Sequence, residues 1–131
     1  MPNFDPRTLN KQAFKSLQAL RHQAGQDNTL LKEQKNQAME LYTYLSTWGL
    51  MRLKSEETAL SQTGKRQIVQ SFFQNLETLS GRNNLTGPQG LNTLVALSAN
   101  EYLGLTGLGI ELANEFGFWA NAVYHDITGA Q

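Results

Sequence analysis

Residues 42–54, YTYLSTWGLMRLK, decide how the chain folds. Tyr42, Tyr44, Leu45, Trp48, Leu50, Met51 and Leu53 are aromatic or aliphatic, and charge enters only at Arg52 and Lys54. So apolar a run predicts a helix passing through the core. Gly49 interrupts it just after Trp48. A glycine inside a helix costs about 1 kcal/mol relative to alanine. Its presence predicts a bend, or a helix-to-helix joint with close backbone approach. The stretch is the hub of a helical domain and carries no chemistry of its own.

Upstream, Asp5-Pro6 is a helix-start signal, with Asp as N-cap and Pro at the first helical position. From there to about Ala24 the spacing predicts one amphipathic helix, closed by Gly25. At about 100° per residue, Leu9, Ala13, Phe14, Leu17, Leu20 and Ala24 share a broad face. Arg7, Lys11, Lys15, Gln18 and His22 form a narrow, acid-free stripe opposite. Such a stripe is either an ordinary solvated face or a track of cations about 5–6 Å apart, suited to phosphates. Arg21 sits at the edge of the apolar face, which favours a packing or interface role.

Asn28 is the expected cap of a second helix, in which Leu30, Leu31, Gln34, Ala38, Leu41, Tyr42, Leu45 and Trp48 keep helical spacing. Beyond Gly49 the helix bends or restarts, running through Arg52 and Lys54 to about Leu60. Thr63-Gly64 marks a turn, with Thr63 as an N-cap candidate. Ile68, Val69, Phe72, Phe73, Leu76 and Leu79 form the clearest apolar stripe, stopped by Gly81. Lys65 and Arg66 in the first turn oppose the helix dipole, a small cost that an anionic partner would offset.

Residues 81–90, GRNNLTGPQG, predict a loop. A short helix over 91–97 follows, and Ser98-x-x-Glu101 is a capping-box pattern. From Glu101 to about Asp126 the apolar residues fit one or two long helices. Gly104, Gly107, Gly109 and Gly117 inside them predict tight contact with a neighbouring helix, or a break near Gly107. Their spacing matches neither a dinucleotide fingerprint nor a P-loop. The expectation is all-α: a single compact helical bundle of about five to six helices over residues 1–131, with the 81–90 loop between N-terminal and C-terminal helices.

With 131 residues and no cysteine, the chain has no disulfide framework and no thiolate metal site, which fits a reducing, cytoplasmic setting. No apolar run approaches the ~18 residues of a membrane span. The N-terminal MPNFDPRTLNK lacks the apolar core of a secretory signal. Net charge is zero but polarised. Residues 1–82 hold all 11 Lys and Arg against seven acids; residues 83–131 hold four acids and no Lys or Arg. That polarity suits steering of a polyanion to one end, or positive-to-negative stacking of copies.

Catalytic patterns are sparse. His22 and His125 are the only histidines, far apart in sequence. His125-Asp126 has the makings of a base with an orienting carboxylate, without a nucleophile pattern nearby. The adjacent Glu56-Glu57 pair diverges on a helix, and no metal-ligand spacing occurs, so neither metal nor cofactor is expected. Tyr42, Tyr44, Trp48, Trp119 and Tyr124 read as core or interface aromatics, with base stacking open to any that is exposed.

The order of features resembles the small alpha-helical subunit of type III (Cmr-type) CRISPR effector complexes. That family has a helical N-terminal segment, then an aliphatic helix ending in an asparagine-glycine-leucine junction. Here Ser46-Thr47-Trp48-Gly49-Leu50 occupies the junction, with Trp48 in place of the asparagine, continuing as Met51-Arg52-Leu53-Lys54. The family's aromatic-rich helix is similar to Gln67-Ile68-Val69-Gln70-Ser71-Phe72-Phe73-Gln74-Asn75-Leu76. Its closing segment is similar to Glu101-Tyr102-Leu103 through Leu112-Ala113 to Trp119-Ala120-Asn121-Ala122. The resemblance spans nearly the whole chain.

It implies a non-catalytic subunit, stacked head-to-tail with its own copies as a minor filament beside other CRISPR effector subunits. Such a subunit helps hold target RNA along the channel formed with the guide RNA. Lys11, Lys15, Arg21, Arg52, Lys54, Lys65 and Arg66 are the candidate RNA-facing cations, chosen by charge geometry. The alternative is a helical protein–protein adaptor or regulator with no nucleic-acid role, which zero net charge favours.

Overall fold

The computed structural model describes residues 5–128, and α1 (Pro6–Ala24) opens as its sequence predicts. The Asp5 carboxylate accepts the Arg7 N–H at 3.0 Å, with Pro6 in the first turn. Gly25 ends the helix, donating its N–H to the carbonyls of Arg21 and His22. The next cap differs from expectation. Asp27, not Asn28, caps α2 (Asn28–Ala59), because its Oδ1 reaches the Leu30 N–H at 3.1 Å and Asn28 is already helical.

At Gly49 (φ 86°, ψ 176°) the chain reverses. The Glu56 carboxylate lies beside the Tyr44 hydroxyl, two groups that a straight helix would hold about 18 Å apart. The Gly64 N–H likewise returns to Glu33. Limb 50–59 of α2 therefore folds back along limb 28–48. Tyr102, 51 residues beyond Met51, fixes the corner: its hydroxyl accepts the Met51 N–H at 3.1 Å. A Cβ at Gly49 would lie 3.3 Å from that oxygen, and the positive φ disfavours any side chain there.

α3 (Thr63–Ser80) starts with no side-chain cap of its own, because Thr63 lies already inside the helix. Glu33 of α2 takes the cap's place, its Oε1 accepting the Gly64 N–H at 2.9 Å. Gly81 closes α3 in the left-handed region. The loop beyond is held by Glu77, whose Oε2 accepts the N–H groups of Leu85 (2.7 Å) and Thr86 (3.0 Å). Leu85 is fully buried. α4 (Gly90–Ala96) is short, and α5 (Ala99–Val123) begins with the reciprocal capping box of Ser98 and Glu101.

α5 is continuous, so of the two readings of its glycines, helix contact or a break near Gly107, the break is absent. Gly104 and Gly107 face open space; Gly109 is the glycine in close helix contact, with its Cβ position 3.2 Å from Leu50. α2 packs between α3 and α5, while α1 lies on α5 and α3. The core they share contains Leu17, Leu41, Leu50, Leu53, Ile68, Phe72, Leu76 and Phe116, all fully buried. Phe72 sets its ring edge-on to Phe73 (5.3 Å) and Phe116 (6.0 Å).

One polar chain crosses this core. The buried Tyr124 hydroxyl donates to Gln34 Oε1 at 2.8 Å, and Gln34 Nε2 donates to Gln67 Oε1 at 2.8 Å and to the Leu20 carbonyl at 3.3 Å. Among the described residues there are five helices, one of them two-limbed, and no strand: the fold is an all-α bundle. No described helix is long and apolar enough to cross a membrane.

Candidate nucleic-acid interface

α1 buries Leu9, Ala13, Leu17 and Ala24 and exposes Lys11, Lys15, Gln18 and His22. Its orientation is fixed from α5. The Trp119 indole N–H donates to Asn10 Oδ1 at 3.0 Å, and its ring lies 5.1 Å from that of Phe14. Lys11 and Lys15 are one turn apart, so both ammonium groups rise from the same side of an anchored helix. Arg7, the stripe's first cation, is taken up by Asp5, with Nη2 to Oδ2 at 2.8 Å. That contact holds the Asp5 carboxyl below its ordinary range.

Toward the C-terminal end of α1 the stripe runs into an open cleft of about 780 Å³ between α1 and α5. Phe14, Gln18, His22, Val123 and His125 line it. The fold thus brings both histidines to one cleft, which no local pattern in the sequence signals. His125 Nδ1 sits 3.1 Å from the Ala122 carbonyl, while both Asp126 oxygens are engaged by Arg21. The imidazole is therefore oriented by a carbonyl, not by the neighbouring carboxylate.

Arg21, which also lines the cleft, is a clasp. Its Nη1 and Nη2 donate to the two Asp126 oxygens at 2.6 and 2.7 Å, and Nη1 also donates to the Val123 carbonyl. The guanidinium carbon lies 5.9 Å from the Tyr124 ring centroid. The hydrogen-bonded guanidinium lowers the Asp126 carboxyl to about 2. Expected among RNA-facing cations, Arg21 is instead neutralised within the protein. Its position at the edge of the apolar face explains why.

The other expected cations divide in the same way. Arg52 is exposed, its guanidinium carbon 4.7 Å from the Trp48 ring centroid. Lys54 is a correction: only 5% of its side chain is exposed, and Nζ pairs with Glu57 at 2.9 Å and lies 4.8 Å from the Phe73 centroid. The reversal at Gly49 turns this lysine inward, against Gly90, where a Cβ would lie 2.3 Å from Lys54 Cε. Arg66 is half-buried and donates to the Leu60 carbonyl; Lys65 beside it is also half-buried. Lys11, Lys15 and Arg52 are the members of the set that face solvent openly.

The described residues contain no group of three or more His, Asp or Glu placed to hold a metal. Comparison of the chain with protein-family models, with curated proteins and with solved structures yields no match.

Proposed function

We propose that this protein is a non-catalytic small subunit of a type III CRISPR RNA-guided effector complex. It stacks in copies as a minor filament and helps hold target RNA along the guide–target channel. The observation that carries this reading is the pair Lys11 and Lys15, exposed one turn apart on a helix anchored by Trp119 and Asn10. Cations so placed contact phosphates and position a strand without reading its sequence. The order of motifs through the Gly49 junction supports the same assignment. Copies make head-to-tail contact in the cytoplasm. Guide RNA, target RNA and larger effector subunits are the partners.

A second reading, a helical protein–protein adaptor, draws support from a groove between α2 and α5. There Met39, Tyr42 and Phe118 are exposed, Phe118 to 62%. Affinity purification of the tagged protein from its native cell, with sequencing of co-purified RNA, separates the two. Uniform short RNAs sharing a repeat-derived end, together with larger subunits, are expected. Protein partners without RNA would replace the first reading with the second.

A further inference from the structure

The C-terminal ends of α1 and α5 meet at the cleft of about 780 Å³, and both histidines of the chain line it. Their sequence neighbours, Arg21 and Asp126, are hydrogen-bonded at 2.6 and 2.7 Å. That pair holds the backbone at His22 opposite the backbone at His125. Both imidazoles are exposed. His125 Nδ1 lies 3.1 Å from the Ala122 carbonyl. A carbonyl only accepts, so Nδ1 carries the proton and Nε2, on the far side of the ring, keeps the lone pair. A backbone carbonyl on one ring nitrogen is a common way of setting a metal-binding histidine. The exposed His22 ring changes rotamer rapidly and can turn toward its counterpart. Gln18, one turn earlier on the same face of α1, adds an amide oxygen to the cleft.

The charge around these rings selects a cation. Two helix C-termini place the negative ends of their dipoles at the cleft. The Arg21 guanidinium there is neutralised by Asp126. An anion would meet helix carbonyls instead of the N–H groups it needs. Neutral imidazoles with an amide oxygen suit zinc, whereas magnesium and calcium call for sites built from oxygen. No third histidine or carboxylate joins the pair among the described residues, and Asp126 is committed to Arg21. We propose that His22 and His125 hold a zinc ion across the cleft, with Gln18 Oε1 and water completing four-coordination. The ion clips the end of α1 to the segment beyond α5. Neither Lys11, Lys15 nor Arg52 takes part, so this site goes beyond the RNA-holding function and stands apart from it.

The test uses the untagged full chain and zinc chloride near neutral pH. Isothermal titration should give one zinc per chain, and about 100 µM zinc should raise the melting temperature by about 5 °C. H22A and H125A, both at exposed positions, should each weaken zinc binding by about tenfold or more and lose the thermal shift. Circular dichroism checks that both variants keep the bundle intact. Magnesium chloride at the same concentration should leave the melting temperature unchanged; a shift equal to that of zinc would mean oxygen ligands and overturn the site. No heat and no thermal shift with zinc would overturn it as well. So would zinc affinity that survives either substitution, because the ion would then lie elsewhere. Half a zinc per chain would put the two imidazoles in different copies and overturn the cleft as the seat of the ion. None of these outcomes bears on RNA retention.

Discussion

Glu33 Oε1 accepts the backbone N–H of Gly64 at 2.9 Å, so a carboxylate from α2 caps the start of α3. The contact requires glycine: a Cβ at Gly64 would fall 2.6 Å from Glu33 Cβ and 2.8 Å from the Leu30 carbonyl oxygen. G64A is expected to destabilise the fold by about 2–3 kcal/mol, as overpacking does. E33A should cost about 1 kcal/mol through the lost cap. Urea midpoints at constant m check both. A G64A protein as stable as the wild type would mean that the two helices do not approach this closely.

The buried Tyr124–Gln34 hydrogen bond makes a second prediction. Y124F leaves Gln34 Oε1 without its donor, at a cost of about 1–2 kcal/mol. Burial raises the Tyr124 hydroxyl above the ordinary tyrosine value of 10.0. The unfolded chain therefore loses this proton first as pH rises, and the stability present below pH 10.0 declines above it. Y124F should reduce that alkaline slope in thermal melts. Tyr44, also raised by burial, supplies a remainder.

Arg21 and Asp126 act at the other end of the pH range. The Asp126 carboxyl is lowered from 3.8 to about 2 by its hydrogen bonds to Arg21. Its contribution is present above the unfolded value and lost as pH falls through the folded one. The clasp should therefore weaken between pH 3.8 and about 2. D126N should flatten the acid limb of the melting temperature there. R21K should do so in part, since one ammonium cannot match both oxygens. An unchanged acid limb in D126N would remove the clasp from the account.

These contacts mark where the sequence is legible. Asp5, Gly81 and the Ser98/Glu101 box act within a few residues of themselves, so the start of α1, the end of α3 and the start of α5 follow from local chemistry. Gly49 is legible as an interruption, but the corner is fixed by the Tyr102 hydroxyl, 51 residues beyond the Met51 N–H that it accepts. The cap on α3 is likewise invisible locally, because Glu33 lies 31 residues earlier. Charge alone puts Lys54 beside Arg52, yet two positions along one helical limb face about 200° apart, so Lys54 turns inward and Arg52 stays in solvent. Glycines were ambiguous for the same reason: Gly109 meets Leu50, whereas Gly104 and Gly107 meet nothing.

Lys54 gives the fourth prediction. Removing one member of a buried ion pair strands the other, so K54A should cost about 3–5 kcal/mol. The double variant K54M/E57L, apolar at both positions, should recover most of that loss. If Lys54 serves the fold alone, this variant also retains RNA like the wild type. A stable K54M/E57L protein that loses RNA would return Lys54 to the interface.

Lys11 and Lys15 must answer to salt as well as to affinity. Each phosphate contact on a single strand contributes about 0.7 to the slope of log affinity against log salt. K11A/K15A should therefore lower that slope by about 1.4 and weaken binding similarly for all sequences. R21A should behave differently, because its guanidinium is committed to Asp126 and the Val123 carbonyl. It should lower the melting temperature and leave the salt slope unchanged. Equal slopes in the wild type and K11A/K15A would mean that the exposed face of α1 is solvated surface. The RNA contacts would then have to lie elsewhere, with Arg52 at the α2 corner as the remaining cation openly facing solvent among the seven.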